Sequence, residues 1–217
     1  MTTDARREEV KVWDPLVRIF HWSLVVTFTV AYLSGEEFEQ LHIYSGYVIA
    51  GLLVFRLLWG FIGTRHARFS DFIYSRQEIV DYLRSLLSAK PRHYLGHNPA
   101  GGVMVILLLL SLAFTVGTGL VLDTEPAGGE AVASARHEPV AGGWLAWAGD
   151  HDDDEKEGRE DGMLEEVHEF FANLSLLLVF IHVAGVVVSG WIHRENLVRA
   201  MITGRKTVEP RAGGETP

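Results

Sequence analysis

Apolar residues in this chain gather into long blocks, and charged residues collect between them. Four blocks reach the roughly 20 residues that a helix needs to cross the hydrocarbon of a bilayer at about 1.5 Å per residue. They run over about 16–34, 43–63, 103–122 and 170–193. The third contains no charged residue, whereas the first and second each carry one arginine, Arg18 and Arg56. The pattern predicts an all-α membrane protein, a four-transmembrane-helix bundle that makes up one domain. A fifth, shorter helix is expected in the loop after the second block. There Ser75 followed by Glu78 has the spacing of a capping box, and Ile79, Leu83, Leu86 and Leu87 recur on one helical face. Such a helix fits either the membrane surface or the underside of the bundle, and should end before Pro91.

Charge sets the expected orientation. Fifteen of the nineteen lysines and arginines fall before or at the mouth of the first block, between the second and third, or after the fourth. Basic residues concentrate on the cytoplasmic side of membrane helices, so both termini are expected to be cytoplasmic. The segment 123–162 faces the other way and holds twelve carboxylates against three basic residues. Its acidic run (Asp150, Asp152, Asp153, Asp154, Glu155, Glu157) reads as a solvated periplasmic loop or as a docking surface for a basic partner. Trp144 and Trp147 in that loop suit the membrane interface. The end of the chain, 205–217, reads as a flexible tail.

Composition narrows the chemistry. The 217 residues are 48% hydrophobic, carry a formal charge of −9 and include no cysteine. Disulfides, iron–sulfur clusters, thiolate zinc sites and covalent haem attachment are therefore excluded. The start of the chain is mixed in charge and lacks a small-residue cleavage pattern, so the first block is expected to persist as a helix.

Four histidines then stand out, because an ionisable side chain within a membrane span is costly and functional by default. With the orientation above, His21 lies in the inner half of the first helix and His42 at the outer mouth of the second. His168 lies near the outer end of the fourth. His182 follows it by fourteen residues, about 21 Å deeper and within about 40° of the same face. His42 can meet His168 outside, and His21 can meet His182 deeper in. Two b-type haems, each held between two imidazoles, fit this pattern, with coordinatively closed irons suited to electron transfer. Arg56 falls at the level of the deeper pair and needs a partner, either a haem propionate or, by snorkelling, the inner surface. Gly46, Gly117, Gly119 and Gly185 could let a flat macrocycle approach the backbone, or could serve helix packing alone. His66, His93, His97, His137 and His193 fall in loops or at span ends and are set aside, as is His151 in the acidic run.

At these residues the sequence resembles the bacterial cytochrome b561 and Ni,Fe-hydrogenase b-type cytochrome superfamily. The matching stretches are 12–22 with Trp13, Asp14, Pro15 and His21; 41–47 with His42 and Gly46; 65–71; 94–102 with Gly96, His97, Asn98 and Pro99; and 167–204 with His168 and His182. The resemblance implies a bundle in the bacterial inner membrane with two b haems on His21, His42, His168 and His182, exchanging electrons between quinone and a periplasmic or membrane partner. The leading expectation is transfer between the quinone pool and a periplasmic redox protein such as a c-type cytochrome. A superoxide:quinone oxidoreductase and a haem-b membrane anchor of a hydrogenase-like oxidoreductase are the alternatives.

Overall fold

The computed structural model describes residues 8–87, 94, 96–124, 151–193 and 195–208. Four of its helices are long and apolar enough to cross a membrane. These are α1 (Pro15–Ser34), α2 (Glu39–Ile62), α4 (Pro99–Thr124) and α5 (His151–His193), the last with its apolar part over 162–192. A shorter α3 (Arg76–Leu87) links the two halves, and α6 (Leu197–Thr203) follows α5. Large apolar side chains such as Leu33, Phe61 and Trp191 point outward, as expected of helices whose solvent is lipid.

Packing follows the chain order. Helix α1 lies along α2, α4 lies along α5, and α2 joins the two pairs through α4. The α4–α5 seam is held by small polar groups: the hydroxyls of Ser111 and Ser175 lie 2.8 Å apart, and Ser111 also reaches the Phe171 carbonyl. Phe114 stacks on Phe171 one turn away. Small hydroxyl-bearing residues allow such close approach in lipid, where apolar burial gives helices little reason to associate. Between α1 and α5 the Tyr32 hydroxyl donates to Asn173 Oδ1. The mid-depth core consists of Ala31, Ile49, Leu53 and Leu112, flanked by Leu24, Phe28, Leu109 and Val116.

The capping box forms as expected. The Ser75 hydroxyl and N–H both donate to the Glu78 carboxylate, which holds that carboxyl below its usual range, and the Glu78 N–H donates back to the Ser75 hydroxyl. Among the described side chains of α3 the buried one is Tyr82, however, while Leu83 is exposed and Ile79 half-buried. Tyr82 wins the inward position because its ring packs edge-on against Tyr94.

Three features differ from the sequence expectations. The fourth helix begins near 151 rather than 170, so His168 lies well inside it instead of opening it. Glu, Lys and Arg favour helices, and carboxylates in a first turn complement the helix dipole, so the acidic run extends the span. Secondly, Arg205–Val208, expected to begin a flexible tail, forms β2 and pairs antiparallel with β1 (Glu8–Lys11). The pairing sets Val10 opposite Lys206 and ties the two ends of the described chain to one face of the bundle. The all-α expectation is corrected to that extent. Thirdly, the second helix starts at Glu39, a turn earlier than expected. The remainder of the acidic loop, with Trp144 and Trp147, and residues 209–217 lie outside the described residues.

Candidate functional site

Asp14 organises the inner end. It caps α1 by accepting from the Val17 N–H at 2.9 Å, while its other oxygen accepts from Trp59 Nε1 at 3.2 Å and the Thr64 hydroxyl at 2.5 Å. Burial raises its pKa, but these donors outweigh burial and hold the carboxyl below its usual range. One buried carboxylate thus fastens the start of α1 to the end of α2. Nearby, Arg18 donates to the Ile202 carbonyl, and the Val12 and Trp13 N–H groups donate to Gly204. Gly204 ends α6 with φ at 80°, a left-handed value that glycine adopts without strain.

Helices α1, α2 and α5 bring the membrane histidines together in the two pairs that depth predicts. His21 on α1 faces His182 on α5, with ring centroids 6.4 Å apart and planes at 55°. His42 on α2 faces His168 on α5 at 5.9 Å and 73°. An imidazole nitrogen lies about 2 Å from a metal it ligates and its ring centre about 1 Å beyond, so two rings on one metal have centroids about 6 Å apart. Both pairs stand at that separation.

The outer pair also carries the supports that metal-ligating histidines need. His42 Nδ1 lies 2.9 Å from the Ala31 carbonyl, and His168 Nδ1 lies 2.9 Å from the Thr115 carbonyl. A ring N–H donated to a carbonyl fixes the tautomer and leaves Nε2 with its lone pair for a metal. Gly119 makes room for this arrangement, since a Cβ there would come within 2.9 Å of the His168 ring. Beside the pair opens a cavity of about 780 Å³, with Phe28, Gly46, Ile49, Leu112 and Val116 among its walls. That size and lining suit a flat, mostly apolar cofactor. At Gly117 and Gly185 an added Cβ would meet nothing within 4 Å.

The inner pair differs in its surroundings. His21 Nδ1 is buried without a hydrogen-bond partner among the described residues, and Trp22 packs edge-on against its ring. Arg56 is 4% exposed, so it does not snorkel to the surface. Its guanidinium lies 4.9 Å from the Phe69 ring centre and 5.8 Å from that of Phe72. Gly60 admits Phe69 to this position, because any side chain there would overlap the ring. His97, set aside in the sequence as a loop residue, is held here between Trp13 at 4.7 Å and Phe72 at 4.6 Å. Burial, aided by the charges of Arg56 and Lys206, pushes its imidazole down to about 3. His66 instead pairs with Asp71 at 2.8 Å, away from the bundle interior.

A membrane-spanning helical bundle with two stacked histidine pairs defines a class of haem-binding electron carriers. Residues 12–204 match the prokaryotic cytochrome b561 family, and the chain belongs to it. Membership makes this a multi-pass bacterial membrane protein with a b-type haem and an electron-transfer role. Among its relatives, a probable Ni/Fe-hydrogenase B-type cytochrome subunit of Bradyrhizobium diazoefficiens is 25% identical over 92% of this chain and 87% of its own. The protein of the same description from Rhodobacter capsulatus is 25% identical over 93% of this chain and 83% of its own. No solved structure matches the chain significantly.

Proposed function

We propose that this protein binds two b haems, one between His21 and His182 and one between His42 and His168, and passes electrons between a catalytic oxidoreductase and membrane quinone. The observation that carries this reading is the pair of histidine separations, 6.4 and 5.9 Å, at two depths of one bundle. A bound b haem supplies one-electron chemistry at its iron. The protein's part is to hold the imidazoles in place, to keep water from the irons and to set the charge around them. The Ala31 and Thr115 carbonyls orient the outer ligands, and Arg56 is a partner for a propionate of the inner haem. Fourteen residues separate His168 from His182, so the two sites lie about 21 Å apart along α5.

The relatives' descriptions favour a hydrogenase-type partner over the periplasmic c-type cytochrome that the acidic loop first suggested. In this reading the chain is the haem-b membrane anchor of a larger oxidoreductase in the bacterial inner membrane. A superoxide:quinone activity is less favoured, since Glu36, Glu37, Asp123, Glu165 and Glu169 line the outer cavity and would repel an anionic substrate.

Protein purified in detergent is expected to hold two non-covalent haems per chain, with a low-spin spectrum that carbon monoxide leaves unchanged. His182→Ala should empty the inner site and His42→Ala the outer one. A single haem, ready carbon monoxide binding, or loss of the same haem in both variants would overturn the pairing. Hydrogen with a Ni/Fe-hydrogenase should reduce the haems in reconstituted membranes. Reduction only by a c-type cytochrome would restore that partner to first place.

A further inference from the structure

Positive and negative side chains are divided between the two histidine pairs. At the inner end Arg56 is 4% exposed, and its Nη1 has no hydrogen-bond partner among the described residues. Arg18 Nε and His97 Nδ1 are likewise buried and unpartnered. Nearby anions are already engaged. The Asp14 oxygens accept from Val17, Trp59 and Thr64, and Glu195 lies 3.3 Å from Lys206 Nζ. A buried guanidinium left with a free N–H is costly unless an acceptor reaches it, so this corner is built for a further carboxylate. His97, enclosed by Trp13 and Phe72, brings a second buried and unpartnered nitrogen to the same corner.

The outer end is the reverse. Glu36, Glu37, Asp123, Glu165 and Glu169 line the cavity beside His42 and His168, with no lysine or arginine among the lining residues. Reduction of an iron adds one negative charge. A cation nearby stabilises that charge and a carboxylate opposes it, most strongly where water is excluded. Haem potentials respond to these neighbours as well as to the axial ligands, and both sites have the same ligand pair.

We propose that this division of charge orders the two sites: Arg56, assisted by His97, holds the carboxylates of the inner haem and makes it the easier to reduce. The proposal rests on the di-haem reading above. A haem bound there would supply one-electron chemistry, and Arg56 and His97 would set how readily it takes up the electron, with no bond formed or broken.

Potentiometric titration of the full chain, followed in the haem absorption bands, tests this directly. Two waves are expected, and the one that survives in His42→Ala, which keeps the inner haem, should be the higher. Arg56→Gln should shift that wave downward and leave the lower wave in place, and Arg56→Lys should restore most of the separation. Should Arg56→Gln fail to fold, neutralising the exposed Glu36, Glu37, Glu165 and Glu169 to glutamine should narrow the gap from the other side by raising the lower wave. A higher potential at the outer site, or a gap insensitive to both sets of changes, would overturn the ordering while leaving the di-haem reading intact. Absence of two low-spin haems in the unaltered protein would overturn both.

Discussion

Asp14 shows how much a single side chain decides in this protein. It is 8% exposed, caps α1, and accepts from two groups at the far end of α2. Asp14→Ala should destabilise the detergent-solubilised protein by about 1 kcal/mol for the lost cap. The stranded Trp59 and Thr64 donors should add to that loss. Asp14→Asn, which keeps an acceptor, should cost less in a thermal melt. The pH dependence has a definite sign. The folded carboxyl has a lowered pKa, so its stabilisation is present above the unfolded value and is lost as pH falls through the folded one. Melting temperature should therefore decline below about pH 4, and Asp14→Asn should remove that part of the decline. In the sequence the residue stood out only as a member of the 12–22 stretch that carries the family resemblance. Its bonds to Trp59 and Thr64 span 45 and 50 residues, a separation no local pattern reports. His97 was missed for the same reason, because the rings of Trp13 and Phe72 that enclose it come from distant segments.

At the scale of elements, the helices that carry the histidines were legible because lipid imposes a length and an apolar composition on any span. Pairing by depth followed from the fixed rise of a helix. The acidic start of α5 was not legible as helix. The same residues that favour a first turn also mark solvated linkers, and composition cannot separate the two. The β1–β2 pair was hidden as well, since each strand has four residues, too few for an alternating pattern to emerge. The close approach at the outer histidine pair lies on the α4–α5 seam, where Gly119 faces the His168 ring. Gly119→Ala should push the ring from its position between the Thr115 carbonyl and His42, lowering outer haem content while the inner haem stays. Gly117→Ala, two residues away where an added Cβ meets nothing within 4 Å, should leave both haems in place. Equal haem content in the two variants, measured by haem extraction and absorption spectra, would show that the seam has slack at Gly119.

For the whole molecule, the decisive property is its orientation, because that turns two depths into two faces with different partners. The β1–β2 pairing joins residues 8–11 to 205–208, so the described ends share one side, in keeping with four crossings. Fifteen of nineteen basic residues fall in the sequence before or at the mouth of α1, between α2 and α4, or after α5, whereas 123–162 carries twelve carboxylates and three basic residues. From a positive-inside bias of this size we propose that the ends lie in the cytoplasm, which would put Arg56 and the His21–His182 pair on the cytoplasmic side and the His42–His168 pair toward the periplasm. A reporter fused after residue 217 should be active only if it is of the cytoplasmic kind, and one inserted between 130 and 140 only if it is periplasmic. Inverted signals would exchange the two faces. The charge division around the histidine pairs would still order the two sites, but electrons arriving at the acidic end would then enter from the cytoplasm, and a periplasmic catalytic partner would have to dock on the basic face instead.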